Sequence, residues 1–259
     1  MNGTLQRLVR SARRLPGWML LSAGDDLLAA EPPERFARAW WQLMLVSFGW
    51  GLALTWVWGA AWALFRDVEG LLVRPALAAT AALALGPLRR AIAAGAEMLG
   101  GAEGAAALLV MTLAGCLLGL DANFYSFEPP LPWWLAWVRP PAKLYRVLML
   151  MPLWGGWSML VVAQLCRPNE RTEPAVAAFA RGCGPVATAA CMGALLAATI
   201  QYFNYLPWRQ LCISGAAAAS AIVGGLVLCR ICGGLRRKAL LAANLLTQIV
   251  FALAYLANR

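Results

Sequence analysis

The chain has 259 residues, 61% of them hydrophobic and 13% charged, with a net charge of +10 and no histidine. A water-soluble domain carries about 25% charged residues, so this composition excludes an ordinary soluble globular protein. The missing histidines exclude haem ligation by histidine, histidine zinc sites, Ser–His–Asp triads and histidine proton relays.

Long apolar runs alternate with short charged clusters. That pattern is expected where lipid is the solvent, because each crossing needs about 20 apolar residues. The expected fold class is all-α: a polytopic membrane helix bundle of about seven transmembrane helices. An interfacial segment, residues 1–38, precedes a single transmembrane domain, residues 39–259. The positive charge fits the positive-inside bias of membrane proteins and attraction to anionic lipid at the cytoplasmic face. No basic stripe sits on a soluble module, so no nucleic-acid partner is expected.

In chain order, Leu5, Leu8, Val9, Ala12 and Leu15 recur at helical spacing with Arg7, Arg10, Arg13 and Arg14 between them. This predicts a basic amphipathic helix lying on the membrane surface. The run Glu31-Pro32-Pro33-Glu34 breaks the chain before the first span. The spans are expected at Ala39–Phe65, Leu71–Leu88, Ala105–Leu120, Val147–Leu165, Pro185–Tyr205, Gln210–Leu228 and Ala239–Leu256. The second has an uncharged run of only 14 residues, Pro75–Leu88, and six crossings remain if it is re-entrant.

Lys and Arg count gives the orientation. With the N-terminus inside, the inner segments hold 15 basic residues and the outer segments 7. The expected protein is therefore a multi-pass plasma-membrane protein, of the bacterial inner-membrane kind, with its N-terminus cytoplasmic and its C-terminus outside.

Four groups of residues stand out. In span one, Ser47, Gly51, Thr55, Gly59 and Ala63 recur every four residues, on one slowly drifting helix face. Small residues let helix backbones approach closely in lipid, so this ridge is either packed inside the bundle or a partner face. Spans five and six carry similar pairs, Gly193 with Ala197 and Ser220 with Gly224. The longest outer segment, residues 121–146, is rich in aromatic residues, among them Trp133, Trp134 and Trp137, with Asp121 and Glu128 as its carboxylates. It reads as an interfacial aromatic belt, or as a docking loop for a lipid or protein.

The inner loop, residues 166–183, is the most polar stretch after the N-terminus. Its Asn169, Glu170, Arg171, Glu173 and Arg181 form either a solvated loop with local ion pairs or a headgroup-binding cluster. Thr172-Glu173-Pro174 resembles a helix start. Finally Cys166, Cys183, Cys229 and Cys232 fall at the inner edge, with a Cys-x-x-Cys pair among them. Four thiolates can bind zinc or an iron–sulfur cluster, but the 17-residue gap between Cys166 and Cys183 argues against it, and neither metal nor cofactor is expected.

No phosphate-binding glycine loop, dinucleotide fingerprint or Gly-x-Ser-x-Gly motif occurs in the chain. The spans are nearly free of ionisable residues, which disfavours ion-coupled transport. The leading expectation is a non-enzymatic membrane subunit, scaffold or assembly factor that packs against other membrane proteins or itself. A permease or channel for a neutral or lipidic solute, using Gln164, Gln201, Asn244 or Gln248, is the second. A membrane-embedded lipid-modifying enzyme is the third.

Overall fold

The computed structural model describes residues 14–64, 87–101, 103–121, 143–203 and 207–258. Among the described residues every regular element is helical. Three short pieces come first: α1 (Pro16–Ser22), α2 (Asp25–Ala29) and a 3-10 turn (Pro33–Arg38). Pro16 and Pro33 stand in first turns, where a missing N–H breaks no intrahelical bond. Then follow α3 (Ala39–Leu64), α4 (Pro87–Met98), α5 (Glu103–Asp121) and α6 (Lys143–Leu165). The chain continues through α7 (Pro174–Gly182), α8 (Pro185–Phe203) and α9 (Pro207–Ala219). A π-helical segment, Ser220–Gly224, leads into α10 (Gly225–Ile231), and α11 (Arg237–Ala257) ends the fold.

Four stretches are long and apolar enough to cross a membrane: Pro33–Ala60, Arg146–Leu165, Leu211–Ile231 and Arg237–Ala257. The pair α7–α8, bent by 75° at its break, makes a fifth if counted as one span. These coincide with the first, fourth, fifth, sixth and seventh expected spans. The third falls on α5, whose described apolar part is the shorter Ala105–Cys116. The second lies outside the described residues except for Pro87 and Leu88, which open α4. The expected amphipathic helix at the N-terminus also lies largely outside them. So the described residues carry four to five candidate spans, where the sequence pattern alone gives seven.

Helix α6 forms the centre, with 89% of its apolar window buried. Its neighbours run antiparallel to it. On one side, a Cβ at Gly51 of α3 would collide with the backbone of Met149, and one at Gly156 of α6 with the Ser47 hydroxyl. On the other, Gly155 of α6 faces Asn244 and Gln248 of α11, where an added Cβ would stand 2.8 Å from Gln248 Cγ. Against a third flank, the Trp157 indole N–H donates to the Thr188 carbonyl of α8 at 3.0 Å. Glycine seams of this kind gain dispersion contacts that lipid cannot match at the same distance.

Leu20, Leu21, Leu28 and Phe36 are buried in this same core, so α1, α2 and the 3-10 turn are packed into the bundle. Gly182 at the end of α7 touches the backbone of Ala37 so closely that no side chain fits. The amphipathic α4 buries Leu88, Ala91 and Ile92 and exposes Arg89, Arg90 and Glu97. Arg90 reaches toward Gly24, and Met98 meets Cys232. Helix α4 therefore lies along the end at which α3 begins, the basal end of the bundle.

Replacing Gly51 by Leu is expected to lower stability by at least about 1–3 kcal/mol, the cost of overpacking a tight seam. Gly49→Ala, whose Cβ would meet nothing within 4 Å, is the control and should melt as wild type does. Thermal unfolding in detergent compares the two; equal melting of Gly51→Leu and wild type would refute the seam.

Candidate functional site

Among the described residues the basal end gathers many of the polar interactions that link distant parts of the chain, and Arg237 stands at their centre. It is the first residue of α11 and only 4% exposed. An arginine has five N–H donors in a planar fork, and four are engaged. Nε donates to the Leu20 carbonyl at 3.0 Å, and Nη2 donates to those of Met19 at 2.9 Å and Ala23 at 2.7 Å. Nη1 donates to the Asp25 carboxylate at 2.6 Å. The three carbonyls belong to the last turn of α1 and its C-cap, where a helix leaves its acceptors unpaired and presents partial negative charge. The cation caps α1 from another part of the chain.

The inner loop closes the other side. Glu173 Oε2 accepts the Arg237 backbone N–H at 3.2 Å. A carboxylate at that helix N-terminus satisfies one of its free donors. Asn169 Nδ2 donates to the Gly233 carbonyl at 2.7 Å, and the Thr172 hydroxyl donates to Leu235 O at 2.7 Å. Gly233 and Gly234 have φ of 69° and 128°, which side-chain-bearing residues rarely adopt. A Cβ at Gly234 would also collide with the Asn169 amide. The loop thus grips the α10–α11 turn. Of the expected polar cluster, Asn169 and Glu173 are occupied in this grip, while Glu170, Arg171 and Arg181 are exposed. The five do not converge on one ligand position. The expected helix start at Pro174 is present, with Glu173 as N-cap residue.

The other candidates separate. Ser47, Gly51 and Thr55 are buried, the first two in the α3–α6 seam, and the Thr55 hydroxyl donates to the Gly51 carbonyl at 2.9 Å. Gly59 is half-buried, and the side chain of Ala63 is outside the described residues. Glu128, Trp133, Trp134 and Trp137 lie outside them entirely, as does the side chain of Asp121, the last residue of α5. All seven cysteines are free thiols. Cys166 and Cys229 are both buried. Cys183 turns to Thr188 Oγ1 at 3.5 Å, and Cys232 to Met98 Sδ at 4.0 Å. Burial pushes the Cys232 thiol up from its ordinary value. Among the described residues no three His, Cys, Asp or Glu side chains are grouped to hold a metal ion.

Halfway along α6 and α11 lies the one polar pair of the apolar interior that the sequence singles out. Gln248 Nε2 donates to Asn244 Oδ1 at 2.6 Å, and Asn244 Nδ2 faces Met159 Sδ at 3.6 Å. Both side chains are buried, and Gln248 Oε1 and Trp154 Nε1 have no hydrogen-bond partner among the described residues. The ring of Trp154 stacks on Phe251 with centroids 6.1 Å apart.

The outward small-residue ridge is on α8. Ala189, Gly193 and Ala197, four residues apart, are all exposed, and a Cβ at Gly193 meets nothing within 4 Å. Gly215 of α9 is similarly open.

The chain thus belongs to the class of all-helical proteins with several membrane-length apolar helices. No known protein family, curated protein or solved structure matches it.

Replacing Arg237 by Ala leaves the Leu20 and Ala23 carbonyls without these donors, at about 1–3 kcal/mol for each buried acceptor. Lys cannot reproduce the fork, so Arg237→Lys is expected to recover less than half of the loss. Asp25→Asn, at a carboxylate 83% exposed, should cost far less than either. Melting temperatures of the three variants in one detergent give the order; a near-wild-type Arg237→Ala would contradict it.

Proposed function

We propose that this protein is a non-enzymatic membrane component, a subunit, scaffold or assembly factor, that binds another membrane helix through α8. What carries the reading is the outward ridge Ala189–Gly193–Ala197. A helix face turned only to lipid gains by carrying bulky apolar side chains, whereas small residues at a spacing of four permit close helix association. The neighbouring α9–α10 helix is little covered as well: the Leu211–Ile231 window is only 28% buried within the chain, against 72% for Arg237–Ala257. The polar groups point the same way, since buried Arg237 and Asn244, half-buried Glu173 and exposed Asn169 are engaged in holding elements together.

The arrangement in the membrane belongs to the same proposal. The chain crosses seven times, counting the segment at Leu71–Leu88, in a plasma membrane of the bacterial inner-membrane kind. Its basal end is cytoplasmic, its amphipathic N-terminus lies on the inner surface, and its C-terminus is outside. The basic residues Arg35, Arg38, Arg89, Arg90, Arg167, Arg171, Arg236 and Lys238 at the basal end support this orientation. A reporter active only outside the cytoplasm, fused after Arg259, should be active; inactivity there reverses the assignment.

A permease for a neutral solute is the second reading, favoured by the unpaired Gln248 Oε1 and Trp154 Nε1 at mid-helix. The close approach of Gly155 to Gln248 and Asn244 speaks against an open path between α6 and α11.

The partner reading is tested with Gly193→Leu combined with Ala197→Leu. Both positions are exposed, so melting of the isolated chain should stay near wild type. After mild extraction of native membranes, wild type is expected to migrate in an assembly larger than the 27.8 kDa chain, and the double variant to leave it. An unchanged migration of the variant would rule out α8 as the partner helix.

A further inference from the structure

Beside the Arg237 fork the basal end holds a cavity of about 170 Å³, open on one side, between α4, the inner loop and the start of α11. Arg90, Arg236, Arg237 and Lys238 line it, together with Asp25, Glu97 and Glu173. Two of the three carboxylates are already engaged by Arg237, Asp25 by its side chain and Glu173 by its backbone N–H. Glu97 is the remaining acid. Arg90, Arg236 and Lys238 form no ion pair among the described residues, and Arg236 Nε is buried without an acceptor. With Arg237 paired to Asp25, three cations share this small concave space with two carboxylates, Glu97 and Glu173, which leaves a net charge of +1. The excess positive charge and the unpartnered Arg236 Nε favour an anion in the space.

The floor is apolar. Ala93, Ala94 and Leu241 complete the lining, and Leu241 lies one turn inside the apolar stretch that begins at Arg237. Cations over an apolar floor, at the mouth of a membrane-length helix, match a group with a phosphate at one end and hydrocarbon at the other. Guanidinium groups suit phosphate oxygens because two parallel N–H donors meet two acceptors.

We propose that this cavity binds the phosphate of an anionic membrane lipid, held by Arg90, Arg236 and Lys238. The assignment goes beyond the helix-partner reading and does not depend on it. Neither the expected inner-loop cluster nor the outer aromatic loop contains it. Of that inner-loop cluster only Glu173 lines it, and the cations that face the space come from α4, Arg236 and the first residues of α11.

Native mass spectrometry of the full chain tests it, with added phosphatidylglycerol, phosphatidylcholine or inorganic phosphate as the three probes. Wild type is expected to retain one phosphatidylglycerol at least tenfold more strongly than phosphatidylcholine. Arg90→Gln with Lys238→Gln should abolish that preference. Arg35→Gln with Arg38→Gln, at a separate basic groove of the basal end, should keep it. Glu97→Lys adds a cation without removing any contact and should strengthen retention, which decides the matter if the double variant folds poorly. Equal retention of the two lipids, an unchanged preference in the double variant, or no gain with Glu97→Lys overturns the proposal. Saturable binding of inorganic phosphate that displaces phosphatidylglycerol would assign the cavity to a soluble anion and overturn the lipid source.

Discussion

A guanidinium buried to 4% exposure at the mouth of an apolar helix is a liability unless its N–H groups are taken. Moving such an ion out of water costs several kcal/mol even after relaxation. Arg237 meets that cost with three carbonyls of the α1 end and one carboxylate of α2. Two of those carbonyls, Leu20 and Ala23, are acceptors that the end of α1 leaves open, and the third, Met19, also takes the Ala23 N–H. Each side removes the other's penalty. The rest of the basal end follows from this pairing: it sets α1 and α2 beside α11, brings Gly24 under Arg90, and places Glu173 against the α11 N-terminus.

Above that layer, close backbone contact governs. Glycines at 51, 155 and 156 let α3 and α11 approach α6 on two faces about 100° apart. Gly224 and Gly225 do the same for the α9–α10 helix, at Leu246 of α11 and Val162 of α6. The π-helical segment just before that contact points the Ser220 hydroxyl at Thr247 Oγ1, 3.3 Å away. The inward glycines and the outward Gly193 have the same composition but opposite surroundings, and only the surroundings separate a seam within one chain from a face offered to another.

Much of the architecture is legible in the sequence because apolar length is a strong signal. The spans at Val147–Leu165 and Ala239–Leu256 match their helices within a few residues. The helix start at Pro174 is legible because a proline suits a first turn. The ridge Ser47–Gly51–Thr55 is legible as a packing face, but periodicity does not say against which helix it packs. Arg237 is not legible. In sequence it is one of three adjacent basic residues, Arg236-Arg237-Lys238, that count equally toward the positive-inside bias. Arg236 is the extended residue before α11, and Lys238 lies about 100° around the helix from Arg237, so of the three only Arg237 reaches the end of α1. One signal was present: a basic cluster at a helix N-terminus opposes the helix dipole, so carbonyls or an anion from elsewhere must compensate it. The polar inner loop was likewise visible as polar, yet its hydrogen bonds to residues 63 and 64 positions away have no local signature.

Hydrogen–deuterium exchange in lipid nanodiscs tests the pinning of α1 by Arg237 most directly. In wild type the amides of Met19–Ala30 should exchange slowly. In Arg237→Ala they should exchange at least about tenfold faster, the equivalent of 1.4 kcal/mol, while the amides of α8 remain unchanged. Equal protection of Met19–Ala30 in the two proteins would contradict the account.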